Sequence, residues 1–228
     1  PTPAEIAYWG GYFFYHNRLH RNYQDDISLH YYLLASKDGI TIGKRYFKHE
    51  NNKEDYPFSP SGHNLYDNNS KLYYCRDFDN IVYQIHEDSV VPRFRINLPN
   101  PLPASMIEER PNEMSLLRSG YSLGITDIYE YGGLLFFRFV KDGYIWSCLY
   151  NVEESKQVYC AKRIKFLDSS LIDTIDGIYK DCFYSILTPE YLDYAFSENP
   201  LEDYPDLFKT YDVEGDNPVI AFYRAVVR

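Results

Sequence analysis

Short apolar, aromatic-rich bursts along the chain, separated by polar turn material, come in groups of three. Gly11–His16 (GYFFYH), Leu29–Ala35 (LHYYLLA) and Ile40–Phe47 (ITIGKRYF) form the first group. Lys71–Cys75 (KLYYC), Ile81–His86 (IVYQIH) and Arg93–Leu98 (RFRINL) form the second, preceded by the short run Asn64–Tyr66. Gly133–Val140, Tyr144–Tyr150 and Val158–Phe166 form the third, with Gly124–Glu130 supplying a strand before them. A fourth group begins at Gly177–Leu187 and closes on Val219–Val226. Turn chemistry separates the bursts: Asp38-Gly39 and Asp142-Gly143 join strand pairs, and Gly10-Gly11 and Gly132-Gly133 precede strands. Glycine accepts the positive φ that tight hairpins demand, so these dipeptides predict antiparallel hairpins.

The strands within a group differ in kind. Middle strands such as HYYLLA and YIWSCLY are apolar on both faces, as a strand sandwiched between two sheets must be. The third burst of each group carries cations: Lys44 and Arg45, Arg93 and Arg95, then Lys162, Arg163 and Lys165. Charge of that kind suits an outer edge, where it discourages pairing with other chains. In RFRINL the alternation places Phe94, Ile96 and Leu98 inward. Two segments break the rhythm. Pro103–Ser119 predicts short helices split at Pro111, whose ring removes a backbone donor. Pro189–Lys209 is acidic and aromatic, with helix starts at Thr188-Pro189-Glu190 and Asn199-Pro200-Leu201.

Aligning the aromatic centres Phe13, Tyr73, Phe136 and Phe183 gives spacings of 60, 63 and 47 residues. Propeller repeats run to about 40–50 residues before insertions. The expected fold is therefore all-β: about four antiparallel sheets of three to four strands, with short helical insertions. They fall at 6–50, 62–100, 121–168 and 171–228, as blades of a single β-propeller domain or fragment.

Composition supports strands over helices. The 228 residues include 25 Tyr, 14 Phe and 2 Trp against only 2 Met, and aromatic residues favour half-buried pleated surfaces. The net charge of −10 is concentrated, since thirteen acids between Asp168 and Asp216 face only Lys180 and Lys209. No basic stripe exists to meet phosphates, which excludes nucleic acid as a partner. No apolar run is long enough for a membrane-spanning helix.

Candidate chemistry is sparse. His16, His20 and His30 are the tightest histidine group, but His16-x-x-x-His20 makes a metal-ligating face only on a helix, and this segment reads as a strand entering a polar loop. They are read as solvated loop histidines, and no metal site or cofactor is assigned. Asp25-Asp26, Glu108-Glu109, Glu153-Glu154 and Glu202-Asp203 are adjacent acids, which point to opposite faces of a strand and cannot form a glycosidase pair. Acids from different sheets could converge; Asp127 is the sort of inner-strand acid such a site would use, although the reading preferred for it is a turn cap. There is no GxSxG, and Ser61-Gly62-His63 is a loop string, so no catalytic residue is assigned. Trp9 and the aromatics of Tyr191–Phe208 could stack on sugar or peptide, but core packing accounts for most of them. The binding residues stay unassigned. Cys148 and Cys160 flank the turn at Glu153–Ser155; two buried thiols are the preferred reading, with a cross-strand disulfide as the alternative.

The runs Tyr121–Cys160 and Asn64–Leu98, with the ending Asp216-Asn217-Pro218-Val219-Ile220 and Phe222-Tyr223, resemble the six-bladed, NHL-like β-propeller lipoproteins of gut Gram-negative anaerobes. The motifs are structural: strand, short turn, an "IVYQI" strand and a "PRF" edge strand. The resemblance implies an incomplete six-bladed propeller matching the family's C-terminal part. It also implies export to the periplasm or outer-membrane surface, with membrane attachment only through a lipid anchor outside this chain. The expected role is a non-catalytic binding or scaffold module for a glycan, peptide or protein. A propeller glycosidase or lyase and a structural subunit of an envelope complex are the alternatives.

Overall fold

The computed structural model describes residues 5–18, 30–49, 59, 62–162, 164–166, 169–172, 175–198, 211–212, 215 and 217–224, with backbone only at 164–166 and 169–172. The chain divides into two compact units, residues 1–128 with 138–144, and residues 129–137 with 145–228.

The first unit opens with a sheet of β1 (Glu5–Trp9), β2 (Tyr12–His16), β3 (Tyr31–Ser36) and β4 (Ile42–Lys48), paired antiparallel in chain order. Gly10 and Gly11 turn β1 into β2 at φ +53° and +79°, which is why glycine occupies both turn positions. A second four-stranded meander follows, from β5 (Leu65–Asp67) and β6 (Leu72–Tyr74) to β7 (Ile81–Ile85) and β8 (Val90–Arg95). The two sheets pack face to face. Phe14, Leu33 and Ala35 from the first meet Leu65, Leu72, Tyr74, Tyr83 and Ile85 from the second, with Trp9, Tyr12 and Tyr46 at the margin. Trp9 is thus half-buried against this core.

Pro111 separates two one-turn helices, α1 (Ala104–Glu108) and α2 (Glu113–Leu117), as its missing N–H requires. Asn112 caps α2 by accepting from the Ser115 N–H at 2.9 Å. Leu116 of α2 is buried against Leu123 and Val140.

The third sheet is β9 (Ser122–Tyr131), β10 (Leu134–Lys141), β11 (Tyr144–Asn151) and β12 (Lys156–Ala161), adjacent in that order, and residues of its strands belong to both units. β11 departs from the doubly buried middle strand expected of it, because Tyr144 and Ile145 at its start are exposed. The burst Val158–Phe166 is also not one strand. β12 ends at Ala161, and β13 (Ile164–Phe166) pairs with β14 (Ser169–Ile172) in a separate two-stranded ladder.

The second unit ends in a three-stranded sheet, β15 (Gly177–Tyr179), β16 (Cys182–Leu187) and β17 (Val219–Tyr223). The burst Gly177–Leu187 is therefore a hairpin with its turn at Lys180-Asp181. The helix α3 (Pro189–Glu198) starts on proline, as expected, and buries Leu192 and Ala195 against Leu187. The second expected start, Asn199-Pro200-Leu201, lies outside the described residues.

Candidate functional site

The first strand of each larger sheet leads into a turn whose first residue is left-handed: Gly10, Asn69, Gly132 and Lys180, at φ 53°, 60°, 58° and 53°. Five positions before each turn stand Glu5, Asn64, Asp127 and Ile175. Three of these four equivalent positions are polar, and in the first unit they anchor a connected set of hydrogen bonds.

Glu5 places Oε2 against the backbone N–H groups of Asn64 and Leu65, at 2.6 and 2.9 Å, and Oε1 3.3 Å from His63 Nδ1. Asn64 is buried and donates from Nδ2 to the Cys75 carbonyl at 3.0 Å and to Asp77 Oδ1 at 3.2 Å. Asp77 also accepts from Ser59 Oγ at 2.7 Å and from Arg18 at 2.8 Å. The Tyr66 hydroxyl donates to the His63 carbonyl and lies 3.3 Å from Thr126 Oγ1. Thr126 in turn donates to Asp127 Oδ2 at 2.9 Å.

Asp127 accepts from two nitrogens of Arg138, each 2.7 Å from Oδ2. It sits within β9 at φ +52°, so its backbone is held left-handed in mid-strand. The expected turn cap is corrected: Asp127 is the buried partner of an arginine on the neighbouring strand. Arginine presents parallel donors that hold a carboxylate in one orientation, and this fixes Asp127 within the hairpin.

A second acid–arginine pair lies beside the first-unit core. Asp79 accepts from Arg76 at 3.0 and 2.7 Å and from the N–H groups of Asn80 and Ile81. The Arg76 guanidinium also lies 5.4 Å from the centre of the Phe47 ring and 5.8 Å from that of Tyr32. The described carboxylates of this region are thus occupied by arginine or backbone donors. A carboxylate whose lone pairs are committed in this way positions strands well and takes up a substrate proton poorly.

A family model described as a 6-bladed beta-propeller matches residues 7–170. The chain belongs to that family. The propeller also superposes on a crystal structure from Bacteroides fragilis NCTC 9343, a protein named a "putative exported protein", with a TM-score of 0.70 and 14% identity. The match covers 97% of this chain and 64% of that one, so this chain spans under two thirds of its length. At that identity the likeness carries the fold alone. No curated protein matches.

His16 is buried in β2, with Nδ1 3.2 Å from the Tyr74 hydroxyl, which corrects its reading as a solvated loop residue. His30 contributes its backbone carbonyl to the His49 N–H, and His20 lies outside the described residues. Among the described residues no three His, Cys, Asp or Glu side chains gather as metal ligands. Of the adjacent acids, Asp25-Asp26 and Glu202-Asp203 lie outside the described residues, and Glu108-Glu109 and Glu153-Glu154 are exposed. Tyr191 and Phe196 pack beside the Leu192 core, while Tyr194 is exposed.

Cys148 and Cys160 stand directly opposite each other on β11 and β12, with Cα atoms 4.1 Å apart, and are joined by a disulfide. The preference for free thiols is overturned by this register. A shift between Leu149 and Tyr150 adds the residue that brings the two cysteines level, and turn length alone does not disclose it.

The signal missed in the sequence was the fixed offset from each turn. It picks out Glu5, Asn64 and Asp127 once the turns are aligned, but their arginine partners follow no such rule. In the second unit a shallow depression of about 260 Å³ is lined by Tyr131, Gly132, Leu134, Asp181 and Arg224. Asp181 and Arg224 pair with each other there.

Proposed function

We propose that this chain is a non-catalytic binding or scaffold part of an exported propeller, engaging a glycan, peptide or protein. The observation that carries this reading is the commitment of the first unit's buried and half-buried carboxylates. Asp127 is held by Arg138, Asp77 by Arg18, and Glu5 by two backbone N–H groups. A glycosidase requires one carboxyl that cycles between acid and base and a second free to attack or activate water. Here these carboxylates hold strands and turns together.

Export is supported by the Cys148–Cys160 disulfide, because such bonds persist in oxidising compartments and are rare where thiols are kept reduced. It is also supported by the likeness to a protein named as exported. Attachment of the longer protein to a membrane through a lipid belongs to the same reading.

The purified chain is tested against a panel of polysaccharides, with reducing ends measured over time, and against glycan and peptide arrays for binding. The expected result is saturable binding without new reducing ends. Polysaccharide turnover that is lost in Asp127→Asn, with the fold retained by circular dichroism, would overturn the reading.

A further inference from the structure

β12 ends the order of the third sheet and pairs with β11. Lys156, Gln157 and Val158 are exposed, Tyr159, Cys160 and Ala161 are half-buried, and no residue of the strand is buried. The ladder that joins it to β11 is interrupted by the register shift between Leu149 and Tyr150. Segments with few buried apolar contacts are the first to open, so packing and pairing hold β12 weakly. Two side-chain links lie along one face of the hairpin. Cys148 is bonded to Cys160, and on the same strand faces, two residues along, Lys162 Nζ stands 5.8 Å from the centre of the Trp146 ring.

The disulfide is unevenly covered. Cys148 is 3% exposed, whereas Cys160 is half-buried. A disulfide opens when a thiolate attacks one sulfur and expels the other, so access selects the sulfur attacked. Here the incoming thiolate bonds to Cys160 Sγ, and the Cys148 sulfur leaves and takes up a proton. The second thiol of the reagent, as thiolate, then attacks the reagent's own sulfur in the mixed disulfide. Cys160 leaves and is protonated in turn. Two electrons and two protons pass from the dithiol to the protein, and the reagent departs as its own disulfide. The bond spans 12 positions and encloses only the β11–β12 turn, so its loss frees this hairpin and no other part of the chain.

We propose that Cys148–Cys160 is a thiol–disulfide exchange site that latches β12, with a dithiol reductant as its class of partner. Oxidised, the bond fixes β12 on β11. Reduced, β12 detaches and frees the main-chain groups of β11 that paired with it, from Ser147 to Asn151. The sheet beneath stays folded, because β10 buries Leu134, Leu135, Phe136 and Phe137.

The full chain is treated with dithiothreitol in the absence of denaturant, and thiols are trapped with iodoacetamide and counted at each cysteine by mass spectrometry. Cys75 is buried and labels only as the structure opens, so it times that opening. Cys160 is expected to label at least about tenfold faster than Cys75. On reduction, amide hydrogen exchange at 156–161 should speed up about tenfold or more, while exchange at 72–74 and 134–137 stays within about twofold. The double variant Cys148→Ala, Cys160→Ala should show the same fast exchange at 156–161 without reductant; if it does not fold, reduction of the natural chain remains the measurement. Labelling of Cys160 no faster than that of Cys75 overturns the proposal, because the bond would then open only with the whole structure. Reduction that leaves 156–161 protected overturns it as well. So does a joint loss of protection at 72–74, which would make the bond a staple of the fold and not a latch. Free thiols at both Cys148 and Cys160 in the untreated protein would remove the site itself.

Discussion

The second sheet and the last sheet are built from the same kind of sequence and end in opposite states. In β6, Leu72, Tyr73 and Tyr74 are all buried, to 1%, 0% and 0% exposure, so both faces of that strand are covered. Leu72 and Tyr74 face the first sheet, while Tyr73 points the other way towards Phe94. In β16 the exposure alternates: Phe183, Ser185 and Leu187 are buried, and Tyr184 and Ile186 are not. Tyrosine and phenylalanine therefore mark a β surface in this chain without saying whether a neighbour covers it. Cover depends on another sheet, and it is a property of packing and not of the strand.

The two free cysteines give the widest separation between these regions. Cys75, just after β6, is buried, and burial holds its thiol well above the ordinary cysteine range. Since the thiolate is the reactive form, Cys75 is shielded by both access and ionisation. Cys182 begins β16 and is half-exposed. In the folded chain a thiol-specific reagent should label Cys182 first. Cys75 should label on the order of 10³-fold more slowly, through opening of the structure. Mass spectrometry of the labelled peptides, with and without denaturant, decides it. Equal native rates would mean that the second sheet is not closed as described.

The closure of the second sheet has a backbone requirement at Gly124. The turn Arg76–Asp79 rests on β9 there, and the Ile125 N–H donates to the Asp79 carbonyl at 3.1 Å. A Cβ on Gly124 would stand 2.7 Å from the Phe78 Cα, and Gly124 itself holds φ +95°. Neither the clash nor the dihedral can be relieved by turning a side chain. Gly124→Val should therefore cost about 3 kcal/mol or more, or prevent folding. Chemical denaturation followed by tyrosine fluorescence measures it. A loss under about 1 kcal/mol would show that the turn can lift away from β9.

Much of this architecture was legible in the sequence because it is set by neighbours in the chain. The hairpin at Gly10-Gly11, the helices split at Pro111 and the proline start of α3 are decided within a few residues. The same holds for Phe94, Ile96 and Leu98, which alternate inward while Arg93 and Arg95 stay exposed. What was not legible depends on partners remote in sequence. His16 is buried because Tyr74, 58 positions later, lies against it. Asp127 is an ion-pair residue because Arg138 lies across the hairpin, and Cys148 meets Cys160 because of a register shift. The candidate site was legible only as isolated letters, since Glu5, Asn64 and Asp127 become equivalent only when the turns are superposed.

The last sheet offers the most direct way to test the difference between covered and uncovered faces, because one strand pair contains both. Phe183 on β16 is 3% exposed, and Phe222 on β17 is 53% exposed. Removing a buried phenylalanine ring sacrifices its transfer free energy and leaves a cavity, so Phe183→Ala should cost about 3–5 kcal/mol. Phe222 touches Tyr184 and Tyr179 at ring-centre distances of 6.4 and 5.9 Å, and water already reaches its outer side. Phe222→Ala leaves no enclosed cavity and should cost less than about 1 kcal/mol. The two variants share residue type, sheet and substitution, which isolates cover as the variable. Thermal melts of both against the parent measure the gap. A loss for Phe222→Ala that approached the loss for Phe183→Ala would mean that the face is covered in solution, and a protein-concentration series would then show whether a second copy covers it.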